Sequence, residues 1–365
     1  MNYPLVSVII PMYNMSKYVS ETLNSVLLSD YQHIEIVVVD DGSTDNSVEI
    51  CEDYIKKSDK IKLFTQSNKG VAAARNYAIK LSKGEYILPV DADDLISSNY
   101  ITEAVKILIE NSNIKVVACE VERFGQKTGI VNFPKFSYRL LARKNFISCC
   151  SMFRKSDWEK CGGFCEQEIF REDWDFWISL FKTGGDFFRL PFVGLKYRVT
   201  PNSRRLNVRK RKKRIIEAIN NRHEAFLHRQ LGGKLHYDRT LSRFFNFFCR
   251  IVKSKKIVVA PEFIEMEEAV YNISKIFAEQ GEFLHNKTKL ISIQNQNVAV
   301  SLFDDYGFLR KIVCGFFCKS KAHRLYMQAL KQQKTNPNAP KAVGYYEERR
   351  CGLLTKSFFL VQHRV

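Results

Sequence analysis

Three carboxylates fall within four residues at Asp91-Ala92-Asp93-Asp94, directly after the apolar run Tyr86-Ile87-Leu88-Pro89-Val90. Like charges this close repel, and each is costly to hold still without a counter-charge. Where a strand leaves a sheet, carboxylates at i and i+2 point the same way and suit a hard divalent cation such as Mn2+ or Mg2+. An isolated Asp-x-Asp is more often a solvated acidic turn, so the reading depends on its company. That company includes Asp40-Asp41 near the N-terminus and Glu172-Asp173, which opens the aromatic stretch Trp174-Asp175-Phe176-Trp177.

These residues need elements to position them. Leu5-Val6-Ser7-Val8-Ile9-Ile10 is an almost wholly apolar run closed by Pro11, which predicts a buried parallel strand. A helical pattern follows, with Tyr18, Val19, Thr22, Leu23 and Val26 on one face. Ile34 to Val39 predicts a second buried strand running straight into Asp40-Asp41-Gly42-Ser43-Thr44-Asp45, where Ser43 or Thr44 is expected to cap a helix beginning at Asn46. Ile61 to Phe64 reads as a short strand, Val71 to Lys80 as a helix and Tyr86 to Val90 as another strand. The order is βαβαβαβ, hence an α/β fold with a mainly parallel sheet between helices. Ligands of such sheets sit beyond the carboxyl ends of the strands, where Tyr13, Asp41 and the Asp91–Asp94 cluster all lie. Neither Gly-x-Gly-x-x-Gly nor a Walker A pattern occurs, so no Rossmann dinucleotide site or P-loop is expected.

With these motifs in place the chain resembles glycosyltransferase family 2, of GT-A fold. The resemblance rests on Ser7-Val8-Ile9-Ile10-Pro11-Met12-Tyr13-Asn14, Val39-Asp40-Asp41-Gly42-Ser43-Thr44-Asp45, Ala74-Arg75-Asn76, Gly84-Glu85-Tyr86-Ile87, Asp91-Ala92-Asp93-Asp94 and Arg171-Glu172-Asp173-Trp174. It spans about residues 4–200. It implies a nucleotide-sugar donor, first a UDP-sugar, with Pro11, Tyr13, Asp41, Arg75, Asp91 and Ala92 in the donor site. Tyr13 would stack on the nucleobase and Asp41 would accept from its ring nitrogen. Asp93, with Asp91 close by, would hold the metal against the departing diphosphate, a leaving group that requires no protonated acid. One carboxylate base then suffices, and the resemblance places it at Asp173 with Glu172 beside it. The lesser alternative for Glu172 and Asp173 is an acidic helix N-terminus facing the dipole, because Trp174, Phe176, Trp177 and Leu180 would anchor that helix and leave Asp173 at its mouth. Arg75 reads either as a phosphate contact or as an ordinary surface arginine of its helix.

The net charge of +18 divides unevenly. Residues 1–200 carry 25 Lys+Arg against 26 Asp+Glu, and residues 201–365 carry 32 against 13. The excess is densest from Arg204 to Arg214, with eight cations in eleven residues. A solvated helix face and an anionic membrane surface both accommodate such a segment. Nucleic acid is not expected, because no helix-turn-helix, finger or RNA-binding signature accompanies it. The resemblance adds a third reading, a lid over the donor near Tyr197–Thr200. The ten cysteines show no Cys-x-x-Cys pattern and no secretory signal precedes them, so reduced thiols and a cytoplasmic location, peripheral on the membrane face, are expected. No apolar run approaches 18 residues.

A second resemblance begins near residue 285. Val298–Phe303, Phe316–Arg324, Ala339–Tyr345 and Gly352–Phe359 are similar to the N-lobe of lipopolysaccharide kinase-type proteins, in the order strand, helix, strand, hairpin strand. Ser301 stands where a phosphate-binding Lys is expected, and no His-Arg-Asp or Asp-Phe-Gly follows. The expected organisation is therefore a GT-A domain over 1–203, a basic helical segment over 204–284 and an incomplete kinase-N-lobe-like α+β unit over 285–365. The function expected is metal-dependent sugar transfer, with inversion, from a nucleotide-sugar donor to a saccharide or lipid-linked acceptor in lipopolysaccharide or capsule-type glycan assembly. The alternative of another class is a non-catalytic membrane-surface adaptor that binds nucleotide or partners.

Overall fold

A computed structural model describes residues 3–167, 171–200, 211–237, 241–285, 287–304, 320–337, 339–350 and 353–362. Contacts divide the chain into two units, Met1–Ile219 and Asn220–Val365.

The first unit is built on a mixed sheet. Its parallel half runs β3 (Ile61–Thr65), β2 (Ile34–Asp40), β1 (Val6–Met12) and β4 (Tyr86–Pro89). Helices α1 (Val19–Leu27), α2 (Ser47–Ile55) and α3 (Val71–Leu81) connect these strands. Every residue of β1 and β2 is buried, as continuous apolar runs in a doubly covered parallel sheet require. Beyond β4 the sheet turns antiparallel through β8 (Met152–Arg154) to β6 (Ile114–Gly125), continues parallel into β9 (Asp186–Val199) and ends at the two-residue β5 (Leu95–Ile96). The two-residue β7 (Gly129–Ile130) pairs with β6. Helix α4 (Tyr100–Glu110) follows β5, and α5 (Tyr138–Leu141), α6 (Lys155–Cys161) and α7 (Glu172–Phe181) lie between β7 and β9 in sequence.

Pro11 does not close β1, contrary to the sequence reading. The strand continues to Met12, with Pro11 opposite Val39. Ile9 turns its backbone towards β4, accepting from the Val90 amide at 2.9 Å, and Pro11 two residues later faces the same way. Pairing with β4 ends at Ile9–Pro89, so the N–H that proline lacks has no strand partner to lose.

Gly84 marks a close approach between the α3–β4 connection and β1. Its amide donates to Ser7 Oγ at 2.8 Å, and that hydroxyl donates to Glu35 at 2.7 Å. A Cβ on Gly84 would lie 2.4 Å from Ser7 Oγ and 2.6 Å from the Ser7 amide nitrogen. Because backbone must then move, Gly84→Ala is expected to destabilise the protein by about 1–3 kcal/mol, readable as a lowered urea midpoint with an unchanged slope.

The second unit holds a six-stranded sheet ordered β10 (Lys253–Val259), β14 (Ala342–Arg350), β15 (Leu353–Gln362), β13 (Gln296–Phe303), β12 (Thr288–Ile293) and β11 (Glu282–His285), antiparallel at each pairing. Helix α8 (Lys212–Arg222) bridges the unit boundary. It is followed by α9 (Glu224–Leu231), α10 (Ser242–Val252), a 3-10 turn (Pro261–Met266), α11 (Glu267–Tyr271) and α12 (Ile273–Glu279). The stretch read as helical over 204–284 thus contains two strands as well. The β-branched run Ile257-Val258-Val259 pairs with Gly344-Tyr345-Tyr346 in β10, which outweighs the helical tendency of its lysines. Strand β13, helix α13 (Lys321–Thr335) and the β14–β15 hairpin follow the element order read from the sequence. Ser320 caps α13, its hydroxyl accepting from the His323 amide at 3.0 Å. Most of the basic stretch 204–214, and Phe316–Lys319 and Gly352, lie outside the described residues. Among the described residues no helix is long and apolar enough to cross a membrane.

Candidate active site

The strand ends β1, β2 and β4 are neighbours in the sheet, so their following loops meet. The Asp41 amide donates to the Met12 carbonyl at 2.8 Å, fixing the two loops to each other. Tyr13 follows β1 and is 45% exposed, with its ring free to meet a ligand. Behind it Asn14 adopts a left-handed backbone at φ 53°, which asparagine tolerates better than most residues. The Asn14 amide donates to Ser43 Oγ at 2.9 Å, and Asn14 Oδ1 accepts from the Thr44 amide at 2.8 Å. Ser43 and Thr44 therefore hold the Tyr13 loop instead of capping α2. Asn46 is the N-cap position without a side-chain cap, and Asp45 just before it accepts from the Ser47 amide at 3.1 Å.

Asp40 ends β2 and accepts from the Ser43 amide at 3.1 Å. Asp41 is buried and accepts three bonds of 2.8 Å, from Gln66 Nε2, the Lys69 amide and the Gly70 amide. Gly70 presents its amide from φ 91°, a conformation costly for any residue with a side chain. A carboxylate offers about four acceptor positions, so Asp41 keeps roughly one for a ligand while it ties the β3–α3 loop to the β2 end. Gln66 and Lys69 also line an open cavity of about 370 Å³ with Thr65, Asn76 and Tyr77.

Arg75 is the junction of the site. Only 3% exposed, it points inward from α3, so it is not a surface arginine. Its Nη2 donates to Asp91 at 2.6 Å and its Nη1 to Glu172 at 3.2 Å, and Phe164 lies 5.6 Å beneath the guanidinium. The acidic loop after β4 and the start of α7 are thereby held on one cation. Asn76, the next residue, pins the segment that carries Phe164: it donates to the Phe164 carbonyl at 2.8 Å and accepts from the Phe164 amide at 2.9 Å. The Arg-Asn pair read as one motif thus performs two separate positioning tasks.

The acidic loop itself is compact. The Asp94 amide donates to the Asp91 carbonyl at 3.0 Å, and both Pro11, near the end of β1, and Ala92, in the turn after β4, are buried. Burial, then the charge of Asp91, pushes the Asp93 carboxyl up to about 6. Asp94 is buried and driven well above the ordinary carboxylate range by burial and by both neighbouring aspartates. Arg198 of β9 answers part of this charge. Its amide donates to Asp94 at 2.8 Å, its Nε to the Asp93 carbonyl at 2.8 Å and its Nη2 to Glu21 at 2.9 Å.

Asp173 stands at the N-terminus of α7, anchored by the fully buried Trp174 and Trp177. Burial, then the charge of Glu172, pushes its carboxyl up to about 6. It accepts from Asn145 Nδ2 at 2.5 Å and from the Trp174 amide at 2.8 Å. Arg198 and Asn145 carried no signal in the sequence, because each meets its partner only through the fold. The acidic pairs did carry one.

The structure thus brings Asp91 and Glu172 into direct contact with Arg75, with Asp93 two residues beyond Asp91 and Asp173 next to Glu172. Tyr13 and Asp41 occupy the neighbouring strand ends. Among the described residues no group of three or more His, Cys, Asp or Glu is placed to hold a metal unaided.

Residues 7–162 match the family described as Glycosyl transferase family 2. A Haemophilus influenzae protein described as a glycosyltransferase is 32% identical over 187 residues, covering 50% of this chain and 74% of that protein. Other curated relatives are matched over less than two thirds of their length, down to 42% and below. Among solved structures, S. aureus TarS residues 1–349 in complex with UDP-GlcNAc aligns with a TM-score of 0.51 at 18% identity, covering 80% of this chain and 95% of that one. The mannosyltransferase PcManGT from Pyrobaculum calidifontis, in complex with GDP-Man and Mn2+, aligns with a TM-score of 0.51 at 21% identity, covering 68% and 74%. At 18% and 21% identity these likenesses show the fold alone. The kinase N-lobe resemblance over 285–365 finds no support: the family match ends at residue 162, and Ser301, where a lysine is expected, bonds Thr288 across the sheet at 2.9 Å.

Proposed function

The chain belongs to glycosyltransferase family 2, and on that premise we propose that it moves a sugar from a nucleotide-sugar donor to a saccharide or lipid-linked acceptor, with inversion. The observation that carries the proposal is Arg75, whose two Nη atoms bind Asp91 and Glu172 and so hold the donor-side loop and the acceptor-side helix in one register. The solved neighbours with UDP-GlcNAc and GDP-Man support a nucleotide-sugar donor, and a UDP-sugar is the first to test.

The residues fit a divalent cation. Asp91 and Asp93 lie in one turn, and the Asp93 carboxyl is raised first by burial and then by the charge of Asp91, which Arg198 offsets in part. Asp93, with Asp91 beside it, would hold Mn2+ or Mg2+, with diphosphate oxygens of the donor completing the set. When bound, such an ion supplies Lewis-acid stabilisation of the departing diphosphate. Tyr13 offers an exposed ring for the nucleobase, and the remaining acceptor position of Asp41 suits a ring N–H. Asp173 takes the proton of the attacking hydroxyl at its carboxylate. Burial and Glu172 bring its pKa towards the working range of a base, while Asn145 fixes its orientation. Arg75 acts through the carboxylates it positions.

Lipopolysaccharide or capsule-type glycan assembly at the cytoplasmic membrane face belongs to the same proposal, supported by the basic stretch Arg204–Arg214. The test is a screen of nucleotide-sugars for hydrolysis and transfer with and without Mn2+. We expect one donor to be turned over, and only with the metal present. Metal-independent turnover at an equal rate would remove the metal from the mechanism, and no turnover of any donor would remove the proposal.

A further inference from the structure

Helix α10 presents its apolar side outward. Phe244, Phe247 and Phe248 are 58%, 61% and 50% exposed, with Phe245 and Leu241 exposed beside them. The rings meet chiefly one another: Phe244 lies 4.8 Å from Phe248 and Phe247 5.6 Å from Phe248. Among the described residues of this helix the buried ones, Ser242 and Asn246, are polar. Asn246 donates to the carbonyls of Leu231 and Lys234, both at 3.1 Å, and Ser242 Oγ accepts from the His236 amide at 3.0 Å. At 100° per residue the leucine and four phenylalanines fall in one continuous sector, with Ser242 and Asn246 opposite. A helix folded with its polar side inward and its aromatic side outward has its apolar partner outside the unit.

We propose that this face of α10 is an insertion element for an anionic lipid surface. Residues 239–253 carry four lysines and arginines and no acid, so the helix and its immediate flanks complement a negatively charged layer. Arg243 is exposed at the edge of the aromatic sector. A bilayer accepts such a helix lying in its plane, rings in the acyl boundary and cations among the phosphates. The apolar sector offers no buried polar groups of the kind that give a protein interface its register. The partner is shared with the reading of Arg204–Arg214 above, but the observation is a different segment, and the test separates them.

The full chain is mixed with vesicles of phosphatidylcholine, alone or with phosphatidylglycerol, and binding is followed by flotation. The triple change Phe244→Ser, Phe247→Ser, Phe248→Ser removes only exposed rings. It is expected to weaken partitioning onto the anionic vesicles by about tenfold or more while leaving donor hydrolysis unchanged. In a separate Phe248→Trp variant, the introduced indole is expected to shift to the blue on anionic vesicles and to be quenched by brominated lipid. That response should persist when Arg209–Arg214 are neutralised, provided enough lipid is supplied to restore binding. Vesicle binding unaffected by the triple change, or an indole that brominated lipid does not quench, would overturn the proposal even if the basic segment still bound lipid. So would sedimentation showing that wild type self-associates through these rings and binds no vesicle, which would assign the face to a second copy.

Discussion

Asp173→Asn is expected to abolish sugar transfer while sparing donor binding. The substitution keeps the size of the side chain and its place at the start of α7, and takes away the group that would accept the proton of the acceptor hydroxyl. Loss of a general base typically lowers the rate by roughly 10²–10⁴-fold. Donor affinity, followed by fluorescence or calorimetry, should remain near the wild-type value, because the donor-side groups Tyr13, Asp41, Asp91 and Asp93 are untouched. The wild-type pH profile provides a second readout. The Asp173 carboxyl is pushed up to about 6 by burial and by Glu172, so the fraction of ionised base falls as pH drops through that value. Transfer should therefore decline on the acid side with a midpoint near 6, not near the ordinary carboxylate value. A variant that retained full transfer would show that Asp173 is not the base.

The parallel half of the first sheet was legible because its strands are mostly apolar runs, interrupted only at single positions such as Ser7, Glu35 and Lys62, and each run ends in a turn. β6 and β9 were not. β9 contains Pro191 and Gly194, and its register against β6 slips twice between Cys119 and Val121, so no regular alternation survives in the sequence. Such a strand is recovered only when its partner is known. The same limit explains Pro11, which looked like a terminator because a sequence does not show on which side a neighbouring strand stops.

The acidic motifs of the candidate site were legible from type and spacing, since three carboxylates in four residues are hard to account for otherwise. What the residues between them do was not. Arg75 meets Glu172 across 97 positions, and Asn145 meets Asp173 across 28. An arginine in an alanine-rich helix gives no hint of its direction until α3 is packed with that side inward. The outward face of α10 was equally hidden: its phenylalanines fit a core helix by pattern, and only the placement of Ser242 and Asn246 inside shows the reverse.

Asp93→Asn is expected to remove metal-dependent donor binding and, with it, transfer. In the absence of a cation the Asp93 carboxylate is held beside Asp91 in a buried turn, and its folded pKa stands at about 6 against an ordinary value of 3.8. A raised carboxyl pKa means that ionisation opposes folding. That opposition is absent below about 3.8, grows as pH rises and is complete above about 6. The asparagine variant lacks this opposition, so without ligand it should melt no lower than wild type at pH 8. The increase in melting temperature that wild type is expected to show with Mn2+ and donor together should vanish in the variant. Lewis-acid stabilisation of a departing diphosphate is worth several kcal/mol, so transfer should fall by about a thousandfold or more. The contrast with Asp173→Asn is the decisive comparison: one variant loses donor and transfer together, the other loses transfer alone. If Asp93→Asn kept both its metal-dependent thermal shift and its turnover, the cation would have to be held elsewhere.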